Sequence, residues 1–160
     1  MMLDYLWLVV ALPLLGFLIV AVVGSRLPRW IATTAGVGSV GLSAALVILI
    51  GIEFLSSVQS TSSFTQHLWT WFQVGRFEVA MALRLDALSL VMIFVVTFVG
   101  FLIHLYSSEF MADDPGYGRF FAYMNLFVAS MLLLVLGENL LLLYLGWEGV
   151  GLCSYFLIGF

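Results

Sequence analysis

The sequence predicts an all-α integral membrane protein with about five transmembrane helices and a surface β-hairpin between the second and third of them. The first observation is composition: 64% of the residues are hydrophobic, 9% are charged, and the mean hydropathy is +1.19. A soluble globular domain is roughly half apolar and a quarter charged, so a water-soluble fold of this length could not bury so much apolar surface. The second observation is a series of apolar runs of about 20 residues, and the third is one stretch in which the period changes to two.

The apolar runs predict one membrane domain over residues 1–160, with helices at about 3–23, 31–55, 87–106, 120–136 and 140–160. The first run carries Asp4 where a secretory signal would be basic, so we interpret it as a retained helix, and Pro13 is expected to kink it. The last run is still apolar at Phe160, so we expect the chain to be the N-terminal part of a longer protein.

A β-hairpin is predicted at about residues 68–85, where apolar side chains alternate with others. Gly75 and Arg76 lie between the two alternating runs, and glycine in the first turn position is typical of a two-residue type II′ turn. Trp69 and Trp71 in the first strand favour a position near the lipid headgroups. The hairpin is therefore expected to lie at the membrane surface.

The short loop that contains Arg26 and Arg29 is expected on the cytoplasmic side, because cytoplasmic loops carry an excess of basic residues. The N-terminus and the hairpin then lie outside, although Arg76 and Arg84 in the hairpin weaken this asymmetry. The absence of a targeting peptide favours a bacterial inner membrane, with an organelle-encoded origin as the alternative. The lipid bilayer is thus a predicted partner of the chain.

Composition also argues against nucleic-acid binding and against a redox centre on this chain. All five basic residues are arginine and the net charge is −4, which is not the basic footprint of a nucleic-acid-binding protein. The single cysteine, Cys153, rules out an internal disulfide, and His67 and His104 lie far apart and form no ligand motif. With no glycine-rich phosphate loop, paired cysteines or bis-histidine haem pattern, we expect no cofactor and no metal on this chain.

Glu148 is the strongest candidate for chemistry, because it lies about nine positions into the fifth helix, roughly 13 Å along its axis and near the bilayer centre. A carboxylate at that depth is a functional hypothesis by default. Gly146, Gly149 and Gly151 beside it leave room for water or a partner side chain. Burial favours the protonated form and a nearby cation favours the ionised form, so Glu148 could take up and release a proton. The alternative is a structural hydrogen bond between two helices.

Three other residues are possible members of a proton path, and each has a simpler interpretation. Asp86 opens the third helix, where an N-cap role explains its position. His104 titrates in the useful pH range but is expected to be an interfacial ring in contact with water. Glu138 could collect protons at the mouth of a helix, although a solvated loop carboxylate is the simpler interpretation.

Residues 143–160, which contain Gly-Trp-Glu-Gly-Val-Gly around Glu148, resemble the glutamate-bearing helix of complex I subunit L, an antiporter-like membrane subunit of respiratory NADH–quinone oxidoreductase. Residues 85–89, 103–107 and 119–127 are similar to the same family, in the same order along the chain. The glycine-rich sequence around Glu148 separates this family from its sister antiporter-like subunits.

The resemblance implies a proton-translocating membrane-arm subunit of NADH:quinone oxidoreductase, an enzyme that couples quinone reduction to proton pumping. It implies many further helices, a conserved surface hairpin, and other membrane-arm subunits of complex I as partners. NADH, FMN, iron–sulfur clusters and quinone are implied only for the whole complex. The resemblance also implies that Glu148 pairs with a lysine on a later helix, and this chain contains no lysine.

Two alternatives to this function stay open at the level of sequence. A subunit of a multi-subunit cation/proton antiporter of the Mrp type would share the fold and the mid-helix glutamate, although the glycines around Glu148 favour complex I. A non-catalytic membrane scaffold would tolerate the replacement Glu148→Gln without loss of function.

Overall fold

The computed structural model describes residues 2–23, 28–57 and 63–160. A 3₁₀ turn at Met2–Tyr5 precedes five helices and one antiparallel hairpin. In chain order these are α1 (Leu6–Val23), α2 (Arg29–Ser57), β1 (Ser63–Val74), β2 (Phe77–Asp86), α3 (Ala87–Phe110), α4 (Tyr117–Leu136) and α5 (Leu140–Ile158). All five of these helices are long and apolar enough to cross a membrane, which confirms the predicted fold class. Arg26, half of the predicted basic loop, lies outside the described residues.

The hairpin packs against one end of the helix bundle, which we call the hairpin end. The Gln66 side chain in β1 accepts a hydrogen bond from the Trp7 backbone N–H at 3.0 Å and donates one to the Asp4 carbonyl. Leu83 and Leu85 in β2 are buried in the apolar core of the bundle. The hairpin is therefore part of the folded unit and covers the start of α1.

The turn between α4 and α5 meets the same hairpin. The backbone N–H of Glu138 donates to the Ala82 carbonyl at 3.1 Å, and the Asn139 side chain donates to the Ala80 carbonyl at 2.7 Å. The Asn139 side chain also accepts from the Leu142 N–H at 3.0 Å, as expected for an N-cap of α5. These bonds pair backbone groups that a helix end would otherwise leave without partners.

The hairpin is longer and less regular than the predicted residues 68–85. β1 begins at Ser63, and its register with β2 shifts between His67 and Trp69 and again between Thr70 and Phe72. Each shift leaves one extra residue in β1, which is how β-bulges form and why strict alternation fails in this strand. Gly75, the first turn residue, has the positive φ that the predicted type II′ turn requires, at 61°. No described non-glycine residue has a positive φ.

Some helix bounds also differ from the predicted ones. α3 continues to Phe110 instead of ending at 106, because the Ser108 hydroxyl bonds to the Leu105 carbonyl at 2.7 Å and Ser107 is buried, so these polar residues stay within the helix. α4 begins at Tyr117 instead of 120, directly after a turn in which the Asp114 side chain accepts the Gly116 N–H at 2.6 Å. The other differences are a start of α1 at 6, after the 3₁₀ turn, a start of α2 at 29, its end at 57, and an end of α5 at 158.

Buried hydroxyl and amide groups join neighbouring helices inside the bundle. The Ser43 hydroxyl in α2 donates to the Val9 carbonyl in α1 at 2.8 Å. The Ser39 hydroxyl in α2 donates to the Asn125 side chain in α4 at 2.8 Å, and the Asn125 amide donates to the Phe121 carbonyl at 3.0 Å. In a lipid environment such bonds both satisfy the polar groups and hold helices together.

α5 lies very close to α4 where Gly146 meets Leu134. A Cβ placed on Gly146 would lie 2.5 Å from the Leu134 backbone nitrogen, so a side chain here would displace the backbone of α4. Gly149, one turn later, faces Ser130 of α4. Gly151 has open space around its Cα, which shows that it lies away from this contact. Small residues therefore line the α4 side of α5.

α3 begins with a complete capping box at Asp86. The Asp86 carboxylate accepts the Ser89 N–H at 2.8 Å, and the Ser89 hydroxyl accepts the Asp86 N–H at 2.7 Å. The hydrogen bond from the Ser89 N–H is the largest influence on Asp86 and lowers its pKa; burial, the second largest, opposes it, and the Ser89 hydroxyl and Arg84 lower the pKa further. A lowered pKa means that the ionised cap stabilises the fold above its unfolded-state pKa, and that this stabilisation is lost as the pH falls through the folded-state pKa.

Replacing Gly146 with alanine should destabilise the protein by about 1–3 kcal/mol, because the added methyl group overlaps the α4 backbone. The matched control is Gly151→Ala, which adds the same methyl group in open space and should be close to neutral. Thermal unfolding of the detergent-solubilised full-length protein measures both. Equal midpoints for the two variants would contradict the close α4–α5 contact.

Replacing Asp86 with alanine should lower the free energy of unfolding by about 1 kcal/mol, because the N-cap is lost. Asp86→Asn should keep most of this stabilisation, because asparagine also caps helices well. Hydrogen exchange of the Ser89 amide in the full-length protein reports the cap directly. A cap-only role also requires that Asp86→Asn leaves the protein's activity unchanged. An inactive Asp86→Asn variant with a slowly exchanging Ser89 amide would instead place Asp86 on a proton path.

Candidate functional site

Glu148 is the ninth of the 19 residues of α5, one position before the middle of the helix. It follows Gly146 by two residues, which is a rotation of about 200° around the helix axis. Since Gly146 faces α4, Glu148 projects from the opposite side and is exposed on the surface of the described bundle. The structure therefore places this carboxylate at mid-helix depth, on a face of α5 that no described helix covers.

Two exposed tyrosines, Tyr144 and Tyr155, lie on the same side of α5 as Glu148. The Tyr144 hydroxyl, one turn earlier on the same face, interacts with the Glu148 carboxylate. Tyr144 is 59% exposed, and Tyr155, two turns after Glu148, is 74% exposed. Sequence reasoning missed Tyr144, although its spacing of four residues from Glu148 is the signal that would have found it. A tyrosine hydroxyl can donate a hydrogen bond to the carboxylate and so share its charge.

Two of the three glycines beside Glu148 do not provide space for a partner. The space beside Gly146 is occupied by Leu134 of α4 and the space beside Gly149 by Ser130, so both glycines serve helix packing. Gly151 lies on the open side of α5, and a methyl group added to it would have no heavy atom within 4 Å. Room for water or a partner of Glu148 therefore exists on the side of Gly151.

His104 is fully buried, and the expectation of an interfacial ring in contact with water is wrong. Its Nδ1 lies 2.7 Å from the Gly100 carbonyl one turn earlier, and its ring packs edge-on against Phe121 of α4. Because a carbonyl only accepts hydrogen bonds, Nδ1 carries the proton in the neutral ring and Nε2 is left as an acceptor. Among the described residues Nε2 has no hydrogen-bond partner.

A crevice of about 290 Å³ lies beside His104 between α3, α4 and α5. Apart from His104 its walls are hydrophobic or glycine: Val95, Val96, Val99, Gly100, Ile103, Met124, Phe127, Val128, Met131 and Leu157. An unpaired nitrogen beside an apolar space is unfavourable unless a donor reaches it. The sequence could not reveal this arrangement, because it depends on how α3 is rotated against α4.

Glu138 and Asp86 both lie at the hairpin end, and both fit their simpler interpretations. Glu138 is exposed, and only its backbone is bonded to the hairpin. It borders an open cavity with His67 and Glu78, which gives this end a cluster of titratable side chains. Asp86 is engaged as the N-cap of α3.

The structure does not bring the four candidate residues together. Asp86 and Glu138 are at the hairpin end, Glu148 is about 13 Å along α5 from that end, and His104 is about 26 Å along α3. Within the described ranges, no hydrogen bond or ion pair joins any two of these side chains. The described residues also contain no group of three or more His, Cys, Asp or Glu side chains that could hold a metal ion.

Comparison with known proteins identifies related sequences over almost the whole chain. The family model described as NADH-Ubiquinone oxidoreductase (complex I), chain 5 N-terminus, matches residues 71–121. NADH-quinone oxidoreductase subunit L of Escherichia coli (strain K12) is 54% identical over 157 residues, which are 98% of this chain and 25% of that protein. The protein of the same name from Pseudomonas aeruginosa is 53% identical over 148 residues, 92% of this chain and 24% of that one.

A more distant relative has the same kind of name. NADH-ubiquinone oxidoreductase chain 5 of Dictyostelium discoideum is 42% identical over 149 residues, 93% of this chain and 22% of that protein. The chain thus spans about a quarter of the length of the curated relatives it matches. The similarity runs through the helices and the hairpin, and a shared apolar composition alone would not give this identity. The chain belongs to the family of NADH-quinone oxidoreductase subunit L.

Proposed function

We propose that this chain is part of a proton-translocating subunit in the membrane arm of a bacterial NADH:quinone oxidoreductase, with Glu148 as a proton-carrying group. The observation that carries the proposal is the position of Glu148 at the middle of α5, on its uncovered face. Membership of the subunit L family supports the enzyme complex, and the five apolar helices support a multi-pass inner membrane protein.

An ionised Glu148 facing lipid would be strongly unfavourable, by at least about 2.5 kcal/mol at the centre of a membrane helix. Because the relatives are about four times as long as this chain, we infer that the complete protein has further segments that can cover this face. We infer that such a segment packs on the Glu148 side of α5 and brings a cation to the carboxylate. The resemblance to the subunit L family implies a lysine for this role, and this chain has none.

The proposed chemistry is the transfer of a proton to and from Glu148 as its electrostatic surroundings change. With a cation beside it, the carboxylate is favoured as the anion; when the cation moves away, the low-polarity surroundings favour the protonated acid. The Tyr144 hydroxyl, which interacts with the carboxylate, can donate a hydrogen bond to it. A conformational or charge change elsewhere in the complex could thus drive uptake and release of one proton at this site.

His104 is proposed as a second group on the same path. Its free Nε2 can accept a proton from water while Nδ1 stays bonded to Gly100. Glu148 and His104 are separated along the bundle axis by about 13 Å, so water must connect them. The crevice beside His104 has volume for several waters. Buried waters also need polar partners, and because the walls of the crevice are apolar, the rest of the protein would have to supply them.

The proposed orientation places the hairpin end outside and the end with Arg29 in the cytoplasm. This follows the excess of basic residues in cytoplasmic loops. Protons would then enter the path from the side of Arg29 and leave toward Glu138 and the hairpin. The order of groups along the bundle, with His104 on one side of Glu148 and Glu138 on the other, fits such a direction.

Replacing Glu148 with glutamine in the full-length protein should reduce NADH-driven proton pumping by at least about tenfold, because the amide keeps the shape but cannot bind and release the proton. Pumping is measured in inverted native membranes together with NADH oxidation, and assembly of the complex is checked on native gels. The matched control is Glu109→Gln, which changes an exposed carboxylate at the end of α3 and should leave pumping intact.

Two results would contradict the proposal for Glu148. Normal pumping by an assembled Glu148→Gln complex would favour the structural, scaffold-like role for this residue. Normal NADH oxidation in membranes that lack the whole protein, combined with loss of sodium or proton exchange, would favour the antiporter of the Mrp type.

Replacing His104 with asparagine should keep the complex assembled but lower pumping and change its pH dependence, because asparagine cannot take up and release a proton. The asparagine amide can replace Nδ1 as the donor to Gly100, and it has no atom at the position of Nε2. Pumping rates at a series of pH values are compared with those of the unaltered complex. An unchanged pH profile would exclude His104 from the proton path.

A further inference from the structure

A second cavity, of about 480 Å³, lies at the end of the bundle opposite the hairpin. It is formed by the last turns of α1, the first turns of α2 and α4, and the turn before α4. Its lining residues that matter here are Phe17, Val20, Arg29, Ala32, Asp114 and Arg119. No candidate residue for proton transfer borders this cavity, so it is separate from the site described above.

The cavity has a charged outer part and an apolar inner part. Arg29 is the first residue of α2 and Arg119 the third of α4, so both guanidinium groups start from the ends of their helices. Ala32 lies one turn deeper in α2, and Phe17 and Val20 belong to the last two turns of α1. A molecule that fits this space would place a polar group near the membrane surface and an apolar part toward the hydrocarbon.

The charge of the outer part is positive. Neither Arg29 nor Arg119 forms an ion pair with any described residue, and the Arg119 guanidinium carbon lies 5.8 Å from the centre of the Phe160 ring. Asp114 is the carboxylate on the cavity wall, and its side chain is already bonded to the Gly116 N–H at 2.6 Å. Two cations and one carboxylate therefore border this part of the cavity, which leaves it with a net positive charge.

Of the two tyrosine hydroxyls on the wall, that of Tyr117 is already bonded within the protein. The Tyr117 hydroxyl lies 2.6 Å from the Thr33 hydroxyl and donates to the Ser108 carbonyl at 3.3 Å, which ties α2, α3 and α4 together at this end. The groups that remain for a ligand are consequently the two arginines and the hydroxyl of Tyr123, which also lines the wall. Guanidinium groups match phosphate oxygens in both charge and geometry.

We propose that this cavity binds the headgroup of an anionic phospholipid, with its phosphate on Arg29 and Arg119 and the start of an acyl chain along Phe17, Val20 and Ala32. The apolar inner part distinguishes this ligand from a free phosphate ion, which would gain nothing from it. The position at the ends of membrane-spanning helices is the depth at which lipid phosphates lie. The site is independent of any proton transfer by Glu148.

The test uses the complete complex, reconstituted in vesicles of phosphatidylcholine that contain a small fraction of photoactivatable phosphatidylglycerol. Crosslinked peptides are mapped by mass spectrometry. We expect labelling of the peptides of α1 and α4 that line the cavity. Each of the two variants Arg29→Gln and Arg119→Gln should reduce this labelling by about fivefold. The matched control is Arg76→Gln, in the exposed hairpin turn at the opposite end, which should label normally.

Two competition experiments with the unaltered complex test the proposal without relying on a variant that folds. Unlabelled phosphatidylglycerol should displace the probe, whereas phosphatidylcholine should not. Equal displacement by the zwitterionic lipid would overturn the anionic selectivity. Full displacement by inorganic phosphate in the buffer would show that the site takes a soluble phosphate and overturn the lipid assignment. Labelling that is unchanged in the double variant Arg29→Gln/Arg119→Gln would also overturn the proposal.

Discussion

The close contact between α5 and α4 at Gly146 determines how the rest of the candidate site is arranged. A Cβ at this position would meet the Leu134 backbone at 2.5 Å, so the contact fixes the rotation of α5 about its own axis. Cys153, two turns later, is consequently buried, and Glu148 points away from α4. A rotation by half a turn would press the carboxylate against an apolar helix without a partner, which is among the most unfavourable arrangements in a membrane.

Apolar packing alone would not specify this bundle, because lipid chains are as apolar as the helices that they surround. The buried polar bonds supply the specificity. The Ser43 hydroxyl on the Val9 carbonyl sets α2 against α1, and the Ser39 hydroxyl on the Asn125 amide sets α2 against α4. Each bond requires one register of its two helices, since a shift by a residue would leave a buried polar group without a partner. α4, which contacts α1, α2, α3 and α5, is the helix on which these constraints converge.

The sequence predicted those features that depend on local chemistry. The five spans follow from the length and hydropathy of the apolar runs. The turn follows from Gly75, because glycine readily adopts a positive φ, and the Asp86 cap follows from its position before an apolar run. The features that it did not predict depend on tertiary contacts. The burial of His104 is decided by the rotation of α3 against Phe121, and the register shifts in β1 by how that strand pairs with β2. The extension of α3 beyond residue 106 likewise needed the contacts of its serines.

Glu148 and His104 have complementary requirements that one additional protein surface could meet. Glu148 needs a cation, because its anionic form has no described positive partner, and the Nε2 of His104 needs a donor, because the described residues leave it without one. His104 borders the crevice between α3, α4 and α5, whereas Glu148 lies on the outer face of α5, away from α4. A segment that covered both the crevice and this face of α5 would enclose the two groups and bring polar walls to the crevice. Such a space can hold water, and water is what a proton requires to pass between two groups that the described helices keep apart.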